Sequence, residues 1–268
     1  MKRTKRAAAV LTAALIAMVG FGAPPAQADD TSAVSILHGV PGAVVDVWAN
    51  GKPLLTNFKP GTLTEPQMLP AGSYDIKIVQ AGAGADGAAV IQADDLQVPA
   101  GANLTLAAHL DASGAPVLTA FTNDTSASTE GSRLTVRHLA AAPAVDIRAG
   151  GTVVIENLVN PKEAVLDLAP GTVSADVVLA DTDTVAIGPA DVTLTKDMNT
   201  IVYAWGSAEG KNLALAVQQV GIGSRGMPST GVADDQGAGA PWALLVAGGL
   251  AAIVVAAMGR RTAGQRQD

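Results

Sequence analysis

The sequence predicts an all-β chain. Its architecture is two tandem immunoglobulin-like β-sandwich domains between an N-terminal signal peptide and a C-terminal transmembrane helix. Three observations carry this reading: apolar residues recur with period two, turn signals separate the apolar runs, and one ordered set of residues occurs twice.

The repeat is read first, because it sets the domain count. His38 is followed by Pro41 and Asp46, and His138 by Pro143 and Asp146, with seven residues between histidine and aspartate in both places. Leu69, Gly72 and the run to Val79 are echoed by Leu168, Gly171 and the run to Val178. Asn103 to His109 aligns with Asn199 to Trp205. The echoes come in the same order, which is the mark of a tandem duplication. The copies span residues 33–121 and 133–221, and the Thr-, Ser-, Asn- and Asp-rich stretch 122–132 joins them as a linker.

Within each copy the alternation is that of strands. Tyr74, Ile76 and Ile78 alternate with Asp75, Lys77 and Val79, Leu104 and Leu106 with Asn103 and Thr105, and Leu134 and Val136 with Thr135 and Arg137. One set is expected on a buried face and the other toward water. On the same parity, His109 is expected to face solvent. Turns are expected at Asn50-Gly51, Pro70-Ala71-Gly72, Pro99-Ala100-Gly101 and Gly150-Gly151. About seven short strands per copy, with turns every 8–12 residues or so, suit a sandwich of immunoglobulin type. The disulfide of antibody domains is missing, since the chain has no cysteine.

That absence also excludes thiol catalysis, zinc–thiolate sites and iron–sulfur clusters. Aromatic residues make up only 3% of the chain, so the cores must be built mainly from Val, Leu, Ile and Ala. Residues 29–230 hold 10 Lys and Arg against 21 Asp and Glu, a net charge of −11. Such a surface repels nucleic acid and anionic lipid.

The residues His38, Pro41, Val45, Asp46, Val47, Gly51, Leu69, Pro70, Gly72 and Tyr74 resemble domain-of-unknown-function family 4397. The second copy is degenerate, with Ala169-Pro170 and Val173 at the corresponding places. The resemblance implies extracellular bacterial β-sandwich modules, often in tandem. It implies no reaction.

His38 with Asp46 and His138 with Asp146 are the repeated polar pair. Their spacing lets the side chains meet across a hairpin, as a base or metal site or as a structural bond pinning the first connection. No Ser nucleophile motif accompanies them, and occurrence in both copies suits the structural role. Asp94-Asp95 and Asp181-Thr182-Asp183 lack the spacing of a calcium loop and read as solvated loops. Trp48 and Trp205 are candidates for a sugar-stacking platform, against packing in a core or at an edge. No cofactor and no metal is expected, and the chain is not read as an enzyme.

The ends carry location. Residues 1–28 have a basic start, an apolar run and a small-residue site at Ala26 and Ala28, the pattern of a cleaved secretory signal. Residues 222–241 form a short stalk that contains Met227-Pro228-Ser229-Thr230-Gly231. A transmembrane helix at 242–259 and a basic cytoplasmic tail at 260–268 follow. Motif, apolar run and arginines together resemble a sortase sorting signal of the Leu-Pro-x-Thr-Gly kind, with Met227 in the place of leucine. The run Trp242 to Met258 is 17 residues. At about 1.5 Å per residue it spans roughly 25 Å, just enough for a thin bilayer. Arg260 and Arg261 fit the positive-inside rule. The resemblance implies processing by sortase, a covalent link from Thr230 to peptidoglycan, membrane insertion beforehand, and an extracellular, wall-anchored location. The alternative location is a permanent single-pass membrane anchor with the domains outside. The expected role is non-catalytic binding or structure near the wall. The alternatives are a carbohydrate-binding module or a His–Asp hydrolase or metal enzyme. Two sandwiches and their loops extend less than about 100 Å, which argues against a far-reaching adhesin.

Overall fold

The computed structural model describes residues 30–223. The expected signal peptide, sorting motif, transmembrane helix and basic tail lie outside the described residues.

All regular structure here is β. The first half contains β1 (Thr31–His38), β2 (Val45–Ala49), β3 (Lys52–Phe58), β4 (Gln67–Pro70), β5 (Gly72–Gln80), β6 (Ala89–Val98), β7 (Asn103–Leu110) and β8 (Pro116–Thr122). The second contains β9 (Ser132–Ala141), β10 (Val145–Ala149), β11 (Thr152–Leu158), β12 (Glu163–Leu168), β13 (Gly171–Leu179), β14 (Val185–Leu194), β15 (Met198–Ser207) and β16 (Ala214–Gly221). Each half therefore has eight strands rather than about seven.

The sixteen strands form four four-stranded sheets. The first half pairs β4-β1-β7-β8 with β3-β2-β5-β6, and the second pairs β12-β9-β15-β16 with β11-β10-β13-β14. The strand order is the same in both halves. It departs from the expected immunoglobulin order, in which the first, second, fifth and fourth strands share a sheet. Here the first strand lies beside the seventh, and β1–β7 and β9–β15 are parallel pairs. Hairpins β2–β3 and β10–β11 turn at Asn50-Gly51 (φ 49° and 72°) and Gly150-Gly151 (φ 57° and 84°), the two successive positive φ angles of a type I′ turn.

Two cores fill the spaces within the halves. The first is built from Val34, Ile36, Val45, Val47, Ile76, Ile78, Leu104 and Leu106, drawn from both of its sheets. The second uses Leu134, Val136, Val145, Ile147, Val177, Ile187 and Val202. A third apolar layer lies between the halves, where Leu37, Ala107 and Phe121 meet Leu139, Ile201, Tyr203, Ala216 and Val220. The four sheets are thus stacked, with β4-β1-β7-β8 and β12-β9-β15-β16 as inner sheets covered on both faces. At about 10 Å between packed sheets the stack is roughly 30 Å from first to last. The sandwiches lie face to face rather than end to end.

This stacking corrects the solvent-face expectations. Thr105, Thr135, Arg137 and His109 lie on the parity opposite their cores, as alternation requires, yet all are buried. Their face meets the other sandwich, not water. Burial on both faces also suits the parallel pairs at the centre of each inner sheet.

A polar network runs through the third layer. Arg137 is 1% exposed. Its Nε donates to Glu163 Oε2 (2.7 Å), and its Nη1 donates to Asn123 Oδ1 (2.9 Å) and the Tyr203 hydroxyl (3.0 Å). The guanidinium stacks on Phe121, 4.4 Å from the ring centroid, and lies 5.4 Å from that of Tyr203. The Tyr203 hydroxyl donates to Gln218 Oε1 (2.5 Å), which also accepts from Thr105 Oγ1 (2.9 Å). Gln218 Nε2 donates to Ser35 Oγ (3.1 Å). Bonds thus cross from β9, β15 and β16 to β1, β7 and Asn123. The connecting segment belongs to this structure: Thr122 ends β8, Asn123 is buried, and Arg133 donates to the Ser126 carbonyl and pairs with Asp124 (2.8 Å).

Removing the guanidinium takes from Asn123 Oδ1 the shorter of its two hydrogen bonds and from the Tyr203 hydroxyl the donor it accepts from. Arg137→Ala is expected to cost about 3–5 kcal/mol, and Tyr203→Phe about 1–2 kcal/mol, in chemical denaturation. The wild-type protein is expected to unfold in one transition, because the shared layer ties the two cores. Two separate transitions, seen by circular dichroism and tryptophan fluorescence, would contradict that coupling.

Candidate functional site

The repeated histidines and aspartates sit at equivalent places, but they do not bond to each other in the way their spacing suggests. His38 ends β1 and is 1% exposed. Its Nε2 donates to the Ala43 carbonyl (2.9 Å), and its Nδ1 accepts from the Val40 amide (3.4 Å). His138 does the same with the Pro143 carbonyl (3.0 Å) and the Ala140 amide (3.3 Å). Each ring pins the connection that follows its own strand, and these partners fix the Nε2–H tautomer.

Each aspartate pins two other turns. Asp46 Oδ1 accepts from the Asn57 amide (2.8 Å) and its Oδ2 from the Gly82 amide (2.8 Å). Asp146 accepts from Asn157 (2.7 Å) and Asp181 (3.2 Å). All four donors lie at positive φ: 53° at Asn57, 82° at Gly82, 51° at Asn157 and 61° at Asp181. The carboxylate holds a left-handed residue near the end of the third strand and another in the hairpin after the fifth. Asn57 and Asn157 were missed in the sequence. Their equal distance from Asp46 and Asp146 was the available signal.

Burial holds the imidazoles of His38 and His138 below the usual histidine range, against the raising effect of the Ala43 and Pro143 carbonyls. His109 shows the same direction with the same leading cause. Its ring is bonded to the Leu110 carbonyl (2.8 Å) and to Thr119 Oγ1 (2.9 Å).

The two tryptophans belong to different surfaces. Trp48 alternates with the core residue Val47 and stands on the outer face of its sheet, across from Lys77 and Pro53. Trp205 lies against the third layer. Its ring fills the space beside Gly61, where a Cβ would come within 2.9 Å of it. They form no joint platform. Strand register places Arg148 at the position of Trp48 and Asp176 at that of Lys77. Arg148 Nε and Nη2 donate to the two Asp176 oxygens (2.9 and 2.5 Å), and the bonded guanidinium holds the Asp176 carboxyl below its ordinary value.

The acidic loop groups are also engaged within the chain. Asp94 accepts from Gln92 Nε2 (3.0 Å), and Asp183 pairs with Arg148 (3.3 Å). Among the described residues no three His, Cys, Asp or Glu side chains gather closely enough to hold a metal ion.

Residues 32–148 match the family described as a domain of unknown function (DUF4397). The match covers β1 to β8 and continues through β9 into β10, so it includes both histidines and both aspartates of the repeated pair. No curated protein matches the chain.

The pins make pH and substitution tests specific. Burial holds the three histidines lower in the folded chain than the value near 6.5 of the unfolded chain, so as pH falls the unfolded chain takes up protons first. Stability is expected to be complete above about pH 7. It should fall as pH drops through 6.5, with a limiting slope of about 1.4 kcal/mol per pH unit for each histidine. Denaturation curves at a series of pH values check this. Asp46→Ala leaves two amides without their acceptor and is expected to cost about 2–4 kcal/mol.

Proposed function

We propose that this chain is a secreted, wall-anchored surface protein built from two tandem DUF4397 copies, with a non-catalytic binding or structural role close to the wall. The location rests on the ends of the sequence: the signal with Ala26 and Ala28, the motif Met227 to Gly231, the apolar run from Trp242 and the arginines beyond it. Sortase would join Thr230 to peptidoglycan after a stage in the membrane.

The observation that carries the role near the wall is how few residues lie between the end of β16 and the motif. The Gly223 amide donates to the Thr125 carbonyl (3.0 Å), tying the chain to the connecting segment. Only three residues then precede Met227. Seven peptide steps from Gly223 to Thr230 reach at most about 25 Å. A body roughly 30 Å thick on so short a tether stays near its attachment point. The non-catalytic reading is supported by the histidines and aspartates of both pairs, whose polar atoms are engaged by backbone groups.

Mass spectrometry of wall digests tests anchoring. The expected product ends at Thr230 and carries a peptidoglycan fragment. An intact Asp268 terminus in the membrane fraction would instead establish a permanent membrane anchor. For the role, His38→Asn and His138→Asn should lower stability without altering any hydrolase or metal-dependent activity of the protein.

A further inference from the structure

Among the described residues the four sheets end in eight edge strands, and seven of these are guarded against a further strand in the ways that edges usually are. β3, β6, β11 and β14 slip register against their neighbours. β4 is four residues long and ends at Pro70. β8 starts at Pro116 and has β6 packed against it. β12 carries Glu163 and Asp167. β16 has none of these guards. It pairs with β15 in unbroken register from Ala214 to Gly221 and contains no proline and no charge. Among the described residues no strand pairs with its other side. Val217, in its middle, is 41% exposed.

The space beside that free edge has a roof. Gln218 of β16 bonds to Ser35 of β1 (3.1 Å) and to Thr105 of β7 (2.9 Å), so β1 and β7 lie over β16 across the third layer. β4 is the next strand outward from β1 and therefore projects past β16. Met68 stands on its projecting face, beside Ala33 and on the side that Ser35 shares. It is 60% exposed, the most of any large apolar side chain among the described residues. The edge of β16 and the underside of β4 thus bound a step about one strand wide.

We propose that this step is a docking site for one extended segment of a partner protein, which adds to β16 as a further strand of the inner sheet. The main chain of the segment meets the free edge, and its alternate apolar side chains cover Met68 on one face and Val217 on the other. A second copy of this chain does not fit. Entering through its own β16, it would bring its first sandwich into the layer that β4 occupies. The charge of the partner follows from the body, where 10 Lys and Arg stand against 21 Asp and Glu in residues 29–230, a net of −11. Such a field favours a segment flanked by lysine or arginine over an acidic one. The inference concerns the folded body alone and does not depend on wall anchoring.

The test titrates the full-length protein with a fluorescent synthetic peptide of alternating valine and threonine with lysines at both ends, and follows anisotropy and amide hydrogen exchange. Saturable binding is expected, with slowed exchange in β16 and none in β8. Met68→Lys and Val217→Lys, both at exposed positions, should each raise Kd about tenfold and leave Tm unchanged. Val185→Lys adds the same charge at a valine 45% exposed on β14 and should leave Kd unchanged. A peptide with proline at its centre should not bind, and glutamates in place of the lysines should weaken binding. An equal loss in Val185→Lys would reduce the effect to charge and overturn the proposal. So would no binding of the first peptide. Slow exchange along the β16 edge before any peptide is added would also overturn it, since residues 224–268 or a second copy would then hold the edge.

Discussion

Arg137 is a charge that has been taken out of water between two domains. Its guanidinium lies over Phe121 of the first sandwich and beside Tyr203 of the second, and it donates to Asn123 and Glu163. Removing a guanidinium from water costs several kcal/mol unless its donors and its charge are matched. Here they are matched only when the two inner sheets face each other. Phe121 comes from the first sandwich, Asn123 from the connecting segment, and Tyr203 and Glu163 from the second sandwich. The face-to-face arrangement is therefore a condition for burying Arg137 at all, and the connecting segment follows it, with Asn123 held between Thr105, Asn103 and Arg137.

The two halves, which share a strand order, meet through equivalent faces, and their side chains differ there. Leu37 and Ala107 are neighbours in the first inner sheet, and the equivalent neighbours in the second are Arg137 and Tyr203. Two large side chains on one face therefore correspond to two smaller ones on the other. A face with Arg and Tyr on both sides would crowd like charges, and a face with Leu and Ala on both sides would leave space. Divergence at these positions serves packing. At the histidine and aspartate positions the copies have stayed alike, because the same turns must be pinned in each.

Those pins give the fold its local order. An imidazole closes the loop after the first strand of each copy, and a carboxylate fixes two left-handed residues in neighbouring turns. Such backbone positions strain most side chains unless surrounding bonds hold them. Burial keeps the imidazoles neutral, which is the state in which Nε2 donates to a carbonyl and Nδ1 accepts from an amide. The outer faces differ more freely: Trp48 and Lys77 in one copy, and the ion pair of Arg148 and Asp176 in the other.

The sequence by itself determined the strand class and the hairpin turns at Asn50-Gly51 and Gly150-Gly151, because these depend on local backbone preference and on period-two patterning. Ile76, Ile78, Leu134 and Val136 could be assigned to cores from alternation alone. Alternation separates two faces of a strand, but it does not say what each face meets. Thr105, Arg137 and His109 read as solvent-facing for that reason, and only the packing of sheet on sheet turned their face inward. Strand order was equally out of reach, since parallel β1–β7 and β9–β15 pairs join residues about seventy positions apart and leave no local trace. The same holds for the histidines and aspartates. Their repetition marked them, but their true partners are backbone groups, which have no identity in a sequence and acquire one only when the chain is folded.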